Sequence, residues 1–541
     1  MDWNFGTILE AVADELTDRT ALVQGERRRT WGELDDRAAR LAGGLSELGL
    51  GPDSKVASYL YNSNEYVEGL DATFKLRGVP VNVNYRYLED ELAYLLDNSD
   101  AEALLFHGSL AEHVAKVRDR LPRLKAAIQV DDGSPHLDSA LRYEDVLAAS
   151  DPMPRIDRSG DDYLFLYTGG TTGMPKGVMW RQDDLFWALA EGVYPLVGLP
   201  LPEAPRDCGR IARRNAEAGT PPVHLPASPL MHGTGQFTTF QSLLLGGTIV
   251  TLESRHFDPD ELWRVVAREQ VTNMAIVGDA FAKPMVRALE QAEARGEPYD
   301  ISSLAIMISS GVMWSAPVKD AFMSRQPMIC YDSLGSSEGV GFANSISAPG
   351  GETRTAKFTI GPHATVLTED GGEVEPGSGE IGLLAVGGHI PTGYYKDPAK
   401  SAATFREHGG RRYSIPGDYA TVEGDGTVTL LGRGSVCINS GGEKIYPEEV
   451  EEAVKHHPAV DDCVVVGMPD DRFGEVVTAV VSLRPGETVD EPAILGAVDD
   501  SGLARFKRPR HVVVVDDVPR APNGKADYQW AKTTAKETLT R

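Results

Sequence analysis

Residues 167–177, which read YTGGTTGMPKG, constrain this chain more than any other segment. They continue a short apolar run, residues 163–167, that predicts a buried strand. Glycines let the backbone turn sharply and present N–H groups to an anion, while threonine hydroxyls and Lys176 add donors and charge. A Walker loop would need Gly-Lys-Ser/Thr, which is absent here. The alternative to a phosphate loop is an ordinary glycine-rich turn. The predicted phosphate contacts are Thr168, Gly169, Gly170, Thr171, Thr172, Gly173 and Lys176.

Composition limits the classes of partner. The chain has 541 residues, of which 41% are hydrophobic, so it can form several domains with large cores. Its formal net charge of −27 opposes binding to nucleic acid or anionic membranes, so a phosphate site must be made locally positive. Four cysteines without a Cys-x-x-Cys pair indicate reduced thiols in the cytoplasm. No signal peptide or integral membrane segment is expected, while peripheral membrane contact stays open.

The pattern along the chain predicts two domains. Strand-like runs alternate with helical periodicity from residue 30 to residue 130, which favours a parallel, layered α/β sheet. Residues 203–222 have weak periodicity and many charges, which predicts a surface insertion or lid. Glycine-punctuated apolar runs at about 358–432 indicate a β-rich subdomain. We therefore predict an N-terminal domain over 1–432, a hinge at 433–436 and a small α+β domain over 437–541.

Three further motifs in this N-terminal part carry reactive side chains. His232, in the segment PLMHG at 229–233, lines a pocket or has a structural role. Glu338 ends the run YDSLGSSE and is either an oxygen ligand for Mg²⁺ or a surface glutamate. Asp418 follows a Gly at a turn, where it accepts ribose hydroxyls or stabilises the turn.

Two motifs lie near the C-terminal domain. Arg433 stands between glycines, which allow it a close approach to a phosphate or ribose, and a second glycine loop follows at 441–442. Residues 522–525 read PNGK, and Asn-Gly makes a tight turn that projects Lys525 outward. The alternative for Lys525 is an exposed hairpin lysine.

In this order and spacing, the motifs resemble those of the adenylate-forming superfamily, which includes acyl-CoA synthetases, luciferases and peptide-synthetase adenylation domains. The resemblance spans residues 30 to 530. It implies a large α/β domain of layered subdomains with a β-rich subdomain, and a small mobile α+β C-terminal domain. It also implies ATP, Mg²⁺, CoA and a carboxylic acid as the small-molecule partners.

The resemblance carries roles onto individual residues of this chain. The catalytic set that it implies is Lys525, Glu338, His232 and Thr171. The metal set is Glu338 and Thr171. The ATP contacts beyond the glycine-rich loop are Gly311, Asp332, Leu334, Gly335, Ser336, Asp418, Arg433 and Lys525. The acyl pocket comprises His232, Gly278 and Gly311. The CoA arm meets Ser440, Gly441 and Gly442.

Two positions depart from the pattern of the superfamily. The hinge residue is Ser435 here, where relatives have Asp or Lys, which puts a charge-linked domain switch in doubt. Leu334 stands where many relatives stack an aromatic ring on adenine. Tyr331 or the turn at Ser310 and Gly311 is expected to shape the rest of that site, and Asp332 to accept a hydrogen bond from the adenine amino group.

The segments around the predicted acyl pocket are apolar or small and contain no obvious cation. They favour a hydrophobic acid, such as a medium or long fatty acid or a sterol side-chain acid. Three other functions remain open: a ligase that loads a carrier protein, a luciferase-like oxidation, and a non-catalytic ATP-binding regulator. The sequence does not set the oligomeric state.

Overall fold

The computed structural model describes residues 3–169, 174–440, 443–470, 473–501, 503–520 and 524–539, without the side chains of Arg433, Ser435 and Lys444. The chain is a mixed α/β protein that divides into two compact units. The first comprises Met1–Thr355 and Val386–Ser414, and the second Ala356–Ala385 and Ile415–Arg541. The N-terminal part therefore supplies the larger unit, and the C-terminal part most of the smaller one.

The helices, in chain order, are α1 (Phe5–Leu16), α2 (Trp31–Glu47), α3 (Asn64–Lys75), α4 (Glu89–Asn98), α5 (Ala111–Val117), α6 (Tyr143–Ala149), α7 (Gln182–Val193), α8 (Pro205–Glu217), α9 (Gly233–Leu244), α10 (Pro259–Glu269), α11 (Gly278–Ala294), α12 (Ala316–Met323), α13 (Pro398–Thr404), α14 (Pro447–Lys455), α15 (Glu491–Asp500) and α16 (Tyr528–Leu539).

The strands are β1 (Thr20–Gln24), β2 (Arg27–Thr30), β3 (Lys55–Tyr59), β4 (Val79–Asn82), β5 (Ala101–His107), β6 (Ala126–Val130), β7 (Leu141–Arg142), β8 (Tyr163–Thr168), β9 (Lys176–Arg181), β10 (Val223–Pro226), β11 (Thr248–Thr251), β12 (Asn273–Ile276), β13 (Ile306–Ser310), β14 (Ile329–Ser336), β15 (Gly339–Ser347), β16 (Lys357–Ile360), β17 (Ala364–Leu367), β18 (Ile381–Val386), β19 (Gly393–Tyr394), β20 (Phe405–His408), β21 (Arg411–Ser414), β22 (Asp418–Val422), β23 (Thr427–Arg433), β24 (Ile438–Ser440), β25 (Glu443–Ile445), β26 (Val460–Asp470), β27 (Gly474–Leu483) and β28 (His511–Val515).

One sheet of the first unit has the order β2-β1-β11-β10-β12-β13-β14-β15 and is parallel from β1 to β14. Its register pairs Ile276 with Ser309 and Ser310 with Ser333. The carboxyl ends of β12 and β13 therefore lie at the same edge as the middle of β14. Large apolar side chains such as Trp263, Met285 and Trp314 fill the core beside this sheet. Ligand sites in α/β proteins lie at such carboxyl edges.

The other sheet of this unit has the order β19-β9-β8-β4-β3-β5-β6-β7. Its strands β4, β3, β5, β6 and β7 run parallel, β8 joins β4 in parallel, and β9 and β19 are antiparallel additions. Every residue of β3, β4 and β6 is buried, as expected for parallel strands covered on both faces. This burial explains the continuous apolar runs in the sequence, and the predicted strand at 163–167 is confirmed as part of β8.

The prediction of a surface insertion or lid at 203–222 is wrong. Residues 205–217 form α8, which packs along α1. Its buried face comprises Cys208, Ile211, Ala212 and Asn215, at helical spacing. The two helices lie so close that a Cβ on Gly209 would overlap the carbonyl oxygen of Ala11. The arginines on the opposite face hid this periodicity.

The second unit contains two sheets. The pairing order is β16-β23-β22-β18, and β17 joins β18. The predicted β-rich region therefore contains strands. Its residues 386–414, however, belong to the first unit. The last hundred residues form the sheet β25-β24-β27-β26, with β28 parallel to β27. Helix α14 begins at Pro447, with Glu448 and Glu449 in its first turn, where proline and acidic residues are favoured. Among the described residues, no helix has the length and hydropathy needed to cross a membrane.

Candidate active site

The two ends of the predicted phosphate loop lie opposite each other in a hairpin. Thr168, the last residue of β8, pairs in register with Lys176, the first of β9. Gly177 packs against Tyr167 so closely that a Cβ would lie 2.6 Å from a ring carbon, which accounts for glycine there. The predicted contacts Gly170, Thr171, Thr172 and Gly173 lie outside the described residues. The pairing of the two strands therefore holds the ends of the predicted loop together, and Lys176 lies at one of these ends.

Lys176 forms an ion pair with Asp397. Asp397 is also the N-cap of α13, where its side chain accepts a hydrogen bond from the Lys400 N–H at 2.9 Å. The Lys176 ammonium and this N–H hold the pKa of Asp397 below its usual range. The cation of the predicted phosphate loop therefore has a carboxylate beside it. No local pattern in the sequence indicates this pair, because its members are 221 positions apart.

Asn82 ties the strand before the loop to the segment that carries His232. Its amide group exchanges two hydrogen bonds with the backbone of Tyr167 and donates a third to the Met231 carbonyl, at 2.6 Å. Asn62 acts similarly on the same segment, donating to the carbonyls of Pro226 and Ser228. Both asparagines were missed in the sequence, although a polar residue at the carboxyl end of a buried strand was a usable signal.

His232 immediately precedes α9, and its carbonyl accepts the first intrahelical hydrogen bond, from the Gln236 N–H at 3.0 Å. A Cβ on the following residue, Gly233, would lie 3.5 Å from the side chain of Leu166 in β8. The structure therefore brings His232 close to the strand that leads into the predicted phosphate loop.

Glu338 lies at the turn between β14 and β15. The hydroxyl of Tyr394 donates a hydrogen bond to its Oε1 at 2.8 Å, and the Trp180 Nε1 donates to the carbonyl of Ser337 at 3.0 Å. Trp180 lies on β9, and Tyr394 pairs with Val178 of the same strand. These contacts set Glu338 beside the strand that begins at Lys176. Tyr394 was not singled out in the sequence.

A magnesium site is chemically compatible with these residues. Glu338 offers hard oxygen donors, whereas Thr171 lies outside the described residues. The described part of the chain contains no group of three or more metal-ligating side chains. Protein-bound Mg²⁺ commonly uses only one or two carboxylates and completes its shell with water and substrate phosphates. A single carboxylate such as Glu338 is therefore sufficient protein ligation for Mg²⁺ at a site of this kind.

Asp332, the predicted adenine contact, is buried in β14 and pairs with the buried Lys319 at 3.3 Å. Burial raises its pKa to about 6, against the opposing effect of the Lys319 charge. Lys319 also donates to the carbonyl of Arg354 at 3.1 Å. The ion pair with Lys319 gives the buried Asp332 carboxylate a structural role. A contact between Asp332 and adenine stays a prediction. The adjacent predicted ATP contacts in β14 are Leu334, Gly335 and Ser336, all half-buried.

The loops after β12 and β13, which carry the predicted acyl-pocket glycines, are locked together. Gly278 has φ +48°, and a Cβ there would overlap the carbonyl oxygen of Met313. The Asp279 N–H donates to the same carbonyl at 3.0 Å, and the Asp279 side chain accepts from the Ser315 N–H at 2.9 Å. Gly311, at φ +94°, lies on the second loop. The fold therefore brings Gly278 and Gly311 together.

The second unit brings two other predicted residues together. Asp418 begins β22 and pairs in register with Arg433, the last residue of β23, whose side chain is not described. A Cβ on Gly432, at φ +124°, would overlap the carboxylate of Glu448, so only glycine fits. Ser435 lies in the short 3₁₀ turn Gly434–Val436 that follows.

Ser440 ends β24 and pairs with Glu443 of β25 and with Gly474 of β27. The predicted CoA contacts Gly441 and Gly442 lie outside the described residues, so only the ends of that loop are placed.

Arg520 secures the turn that carries Lys525. It makes a double hydrogen bond to Asp462 at 2.5 and 2.7 Å and donates to the carbonyl of Gly524 at 3.1 Å. A β-bridge also joins Arg520 to Ala526. Lys525, which is half-buried, lies between these two attachment points. A bidentate guanidinium–carboxylate pair is geometrically well defined, so it fixes the base of this turn. Arg520 was also missed in the sequence.

Fold and site together define a two-unit α/β protein. In its larger unit, the glycine-rich segment ends at Lys176, which pairs with Asp397, and the Glu338 carboxylate lies beside the same strand. A family model described as AMP-binding enzyme matches residues 9–395, and one described as AMP-binding enzyme C-terminal domain matches residues 449–525. The chain belongs to the AMP-binding enzyme family.

Relatives and solved structures agree with this assignment. The chain is 47% identical, over 98% of its length and 96% of the relative's, to a 3-oxocholest-4-en-26-oate–CoA ligase of Rhodococcus rhodochrous. It is 42% identical, over 99% and 97%, to a medium/long-chain-fatty-acid–CoA/3-oxocholest-4-en-26-oate–CoA ligase of Mycolicibacterium smegmatis. ATP-bound MatB from Rhodopseudomonas palustris superposes with a TM-score of 0.80 at 26% identity, covering 99% of this chain and 100% of that one.

Proposed function

We propose that this protein is an ATP-dependent, AMP-forming acyl-CoA synthetase that activates a hydrophobic carboxylic acid and transfers the acyl group to CoA. The observation that carries the proposal is the arrangement around β8 and β9. There Lys176 closes a glycine-rich hairpin, Glu338 lies beside the same strand, and His232 follows a segment tied to it. The names of the full-length relatives, both CoA ligases, support the same chemistry.

The chemistry follows from charge. The substrate carboxylate attacks the α-phosphate of ATP and displaces pyrophosphate, so two anions meet and negative charge spreads over phosphoryl oxygens. Lys176 and the backbone N–H groups of the glycine-rich loop would hold the β- and γ-phosphates. Lys525 would neutralise charge at the reacting phosphate, and His232 would lie near the acyl carboxylate. Mg²⁺ held by Glu338 and phosphate oxygens would supply further charge neutralisation. Preorganised groups of this kind are usually the largest contribution to such catalysis.

The acyl-adenylate would then react with the thiol of CoA. For that step we propose that the C-terminal domain, residues 437–541, changes position about a hinge at 433–436, as in the superfamily. Gly432 and Gly434 flank Arg433, and their freedom of φ suits a hinge without a charged residue at Ser435. Asp418 and Arg433, paired in register, are the proposed ribose and phosphate ligands next to it.

A hydrophobic acid is the proposed substrate class. Gly278 and Gly311 leave the carboxyl edge of the first sheet without side chains at two adjacent positions. Val277 and Trp314, close to these glycines in the chain, and Met231, next to His232, are apolar and buried. No cation is apparent among them to bind a charged side chain, so medium or long acyl chains and bulky alicyclic acids fit best.

The proposed working location is the cytoplasm, where thiols stay reduced. The four cysteines are not joined in disulfides, and Cys208, Cys330 and Cys463 are buried.

The test is to measure AMP release and thioester formation with the purified full-length chain. Acids of four kinds should be compared: medium-chain, long-chain, sterol side-chain and small aromatic. We expect CoA-dependent thioester only with the first three kinds. Activity confined to small aromatic acids would refute the substrate class. Transfer to a phosphopantetheinyl carrier protein but not to CoA would favour the carrier-loading alternative.

A further inference from the structure

We propose that residues 393–397 are a positioning element for the charged groups of the phosphate site. In this proposal Tyr394 orients the Glu338 carboxylate, and Asp397 is the counter-ion that holds Lys176 until a nucleotide displaces it. The inference rests on the proposed function, since it takes Lys176 and Glu338 as ligands of ATP and its cation.

The segment is anchored to β9 by its backbone. Gly393 and Tyr394 pair with Met179 and Val178, and the Tyr395 N–H donates to the carbonyl of Gly177 at 2.8 Å. Because β9 begins at Lys176, the segment and the lysine share one rigid strand pair. Movement of either would displace the other.

Side chains of the segment also anchor it, through contacts with Asp100. The Tyr395 hydroxyl and the Lys396 ammonium both donate to the carboxylate of Asp100, at 2.7 and 2.8 Å. Lys396 has φ +55°, a conformation that costs a non-glycine residue about 1–2 kcal/mol. The surrounding contacts therefore hold the backbone in an unfavourable geometry directly before Asp397, as occurs at functional sites.

Tyr394 is suited to fix Glu338. Its ring is buried and packs beside Phe405 at 5.8 Å, so the hydroxyl has a defined position. That hydroxyl donates to the Glu338 Oε1 at 2.8 Å. Hydrogen bonds to ligating carboxylates orient them toward a metal and are typically important for its affinity. The tyrosine would therefore act through Glu338, without touching substrate itself.

Asp397 is suited to hold Lys176 reversibly. The two side chains are 28% and 40% exposed, and a pair this exposed contributes little net free energy. A triphosphate carries more charge than one carboxylate, so it would take over the lysine at small cost. The carboxylate would nevertheless repel the incoming phosphates and compete with them. Its removal should strengthen nucleotide binding.

The experiment is titration calorimetry of ATP binding to the full-length chain, in Mg²⁺ and in EDTA. Asp397→Asn should lower the Kd for ATP about two- to fivefold in both conditions, because it acts through Lys176. Asn caps helices as well as Asp does, so the melting temperature should not change. Tyr394→Phe should leave the Kd in EDTA unchanged and raise it several-fold in Mg²⁺.

Matched controls are available elsewhere in the chain. Asp490→Asn makes the same substitution at the N-cap of α15, and Tyr299→Phe removes a hydroxyl that donates to the carboxylate of Asp260. Neither should alter ATP binding in either condition.

The outcomes separate the inference from the proposed function. An unchanged or weaker affinity in Asp397→Asn would overturn the counter-ion role. An equal loss in Mg²⁺ and in EDTA for Tyr394→Phe would overturn the orienting role. If the unaltered chain binds no ATP at all, the proposed function fails first and this inference with it.

Discussion

The side-chain amide of Asn82 makes two hydrogen bonds with the backbone of Tyr167, accepting from its N–H at 2.5 Å and donating to its carbonyl at 2.9 Å. The same amide donates to the carbonyl of Met231. One buried residue thus fixes the strand that enters the proposed phosphate loop against the segment that ends at His232. The relative position of these two parts of the site depends on it.

We therefore expect the Asn82→Ala substitution to destabilise the protein severely and to remove nearly all of its activity. The substitution leaves the Tyr167 N–H and two carbonyls buried without their partner, at about 1–3 kcal/mol for each group. A melting temperature measured by calorimetry checks the stability, and acyl-CoA formation checks the activity. Tyr167→Phe is the control, because it removes only the hydroxyl that donates to Asn98 at 2.7 Å and should cost about 1 kcal/mol. Equal losses in the two variants would contradict the special importance of Asn82.

Gly278→Ala tests the coupling between the two pocket loops. Its Cβ would overlap the carbonyl oxygen of Met313 and lie 2.6 Å from that of Val312, so the loop after β13 must shift. We expect kcat/KM for the preferred acid to fall by roughly tenfold or more, since small displacements at a reacting centre have large effects.

Gly296→Ala is the matched control for this backbone conformation. It also has a positive φ, +76°, but nothing lies within 4 Å of the added Cβ. Only the conformational cost of about 1–2 kcal/mol in stability should appear there, with kcat/KM unchanged. If both variants keep full catalytic efficiency, Gly278 does not shape the pocket.

Lys525→Ala tests the lysine that is proposed for the adenylation step. Loss of one preorganised charged donor typically raises a barrier by about 3–4 kcal/mol, so acid-dependent formation of the adenylate should fall by two to three orders of magnitude. Lys532→Ala, which removes an exposed lysine on α16, should have no effect. Survival of adenylation with loss of only the CoA transfer step would show that Lys525 has been given the wrong role.

Arg520→Lys tests whether the base of the Lys525 turn must be rigid. Lysine keeps the positive charge but cannot make the bidentate pair with Asp462 or also reach the Gly524 carbonyl. We expect kcat for adenylation to fall while the KM for ATP changes little, because Arg520 would position a group used in the transition state. A change in the KM for ATP alone would show that Arg520 contributes to binding of the ground state instead.

A buried histidine should make the protein sensitive to acid. Burial lowers the pKa of His107 to about 4, and its Nδ1 accepts a hydrogen bond from the Tyr61 N–H at 3.2 Å. Between pH 6.5 and pH 4 the unfolded chain binds a proton that the folded chain does not. Stability from this group is therefore complete above pH 6.5 and falls by at most about 3 kcal/mol as pH drops to 4.

His107→Asn should weaken that pH dependence, because asparagine can accept the same hydrogen bond and does not titrate. The measurement is the melting temperature of both proteins from pH 4 to pH 7.5. We expect the difference between them to shrink, or reverse, toward low pH. Parallel curves would contradict the assignment.

The sequence predicts elements well where the local signal is strong. The strand at 163–167 and the start of α14 at Pro447 follow from an apolar run and from a proline with acids in the first turn. Helix α8 fails this test, because its four arginines lie within the same short segment and mask the buried stripe through Ile211 that defines the helix. Local patterns reveal a helix only when its apolar face dominates the composition.

The residues of the candidate site also differ in whether a local sequence pattern marks them. Thr168, Lys176 and Glu338 were predicted from the chemistry of their own motifs, and their roles stay predictions. Tyr394, Asp397 and Asn82 were not, because each acts on a residue 56 or more positions away in the chain. Their roles depend on which strands become neighbours, and the pairing of β19 with β9 has no local signature in the sequence.

The most direct test of the central claim is isotope exchange between pyrophosphate and ATP in the absence of CoA. If the chain forms an acyl-adenylate, exchange should appear only when a hydrophobic acid is added, and Lys525→Ala should abolish it. Binding of ATP with no acid-dependent exchange across the full range of acids would contradict the account.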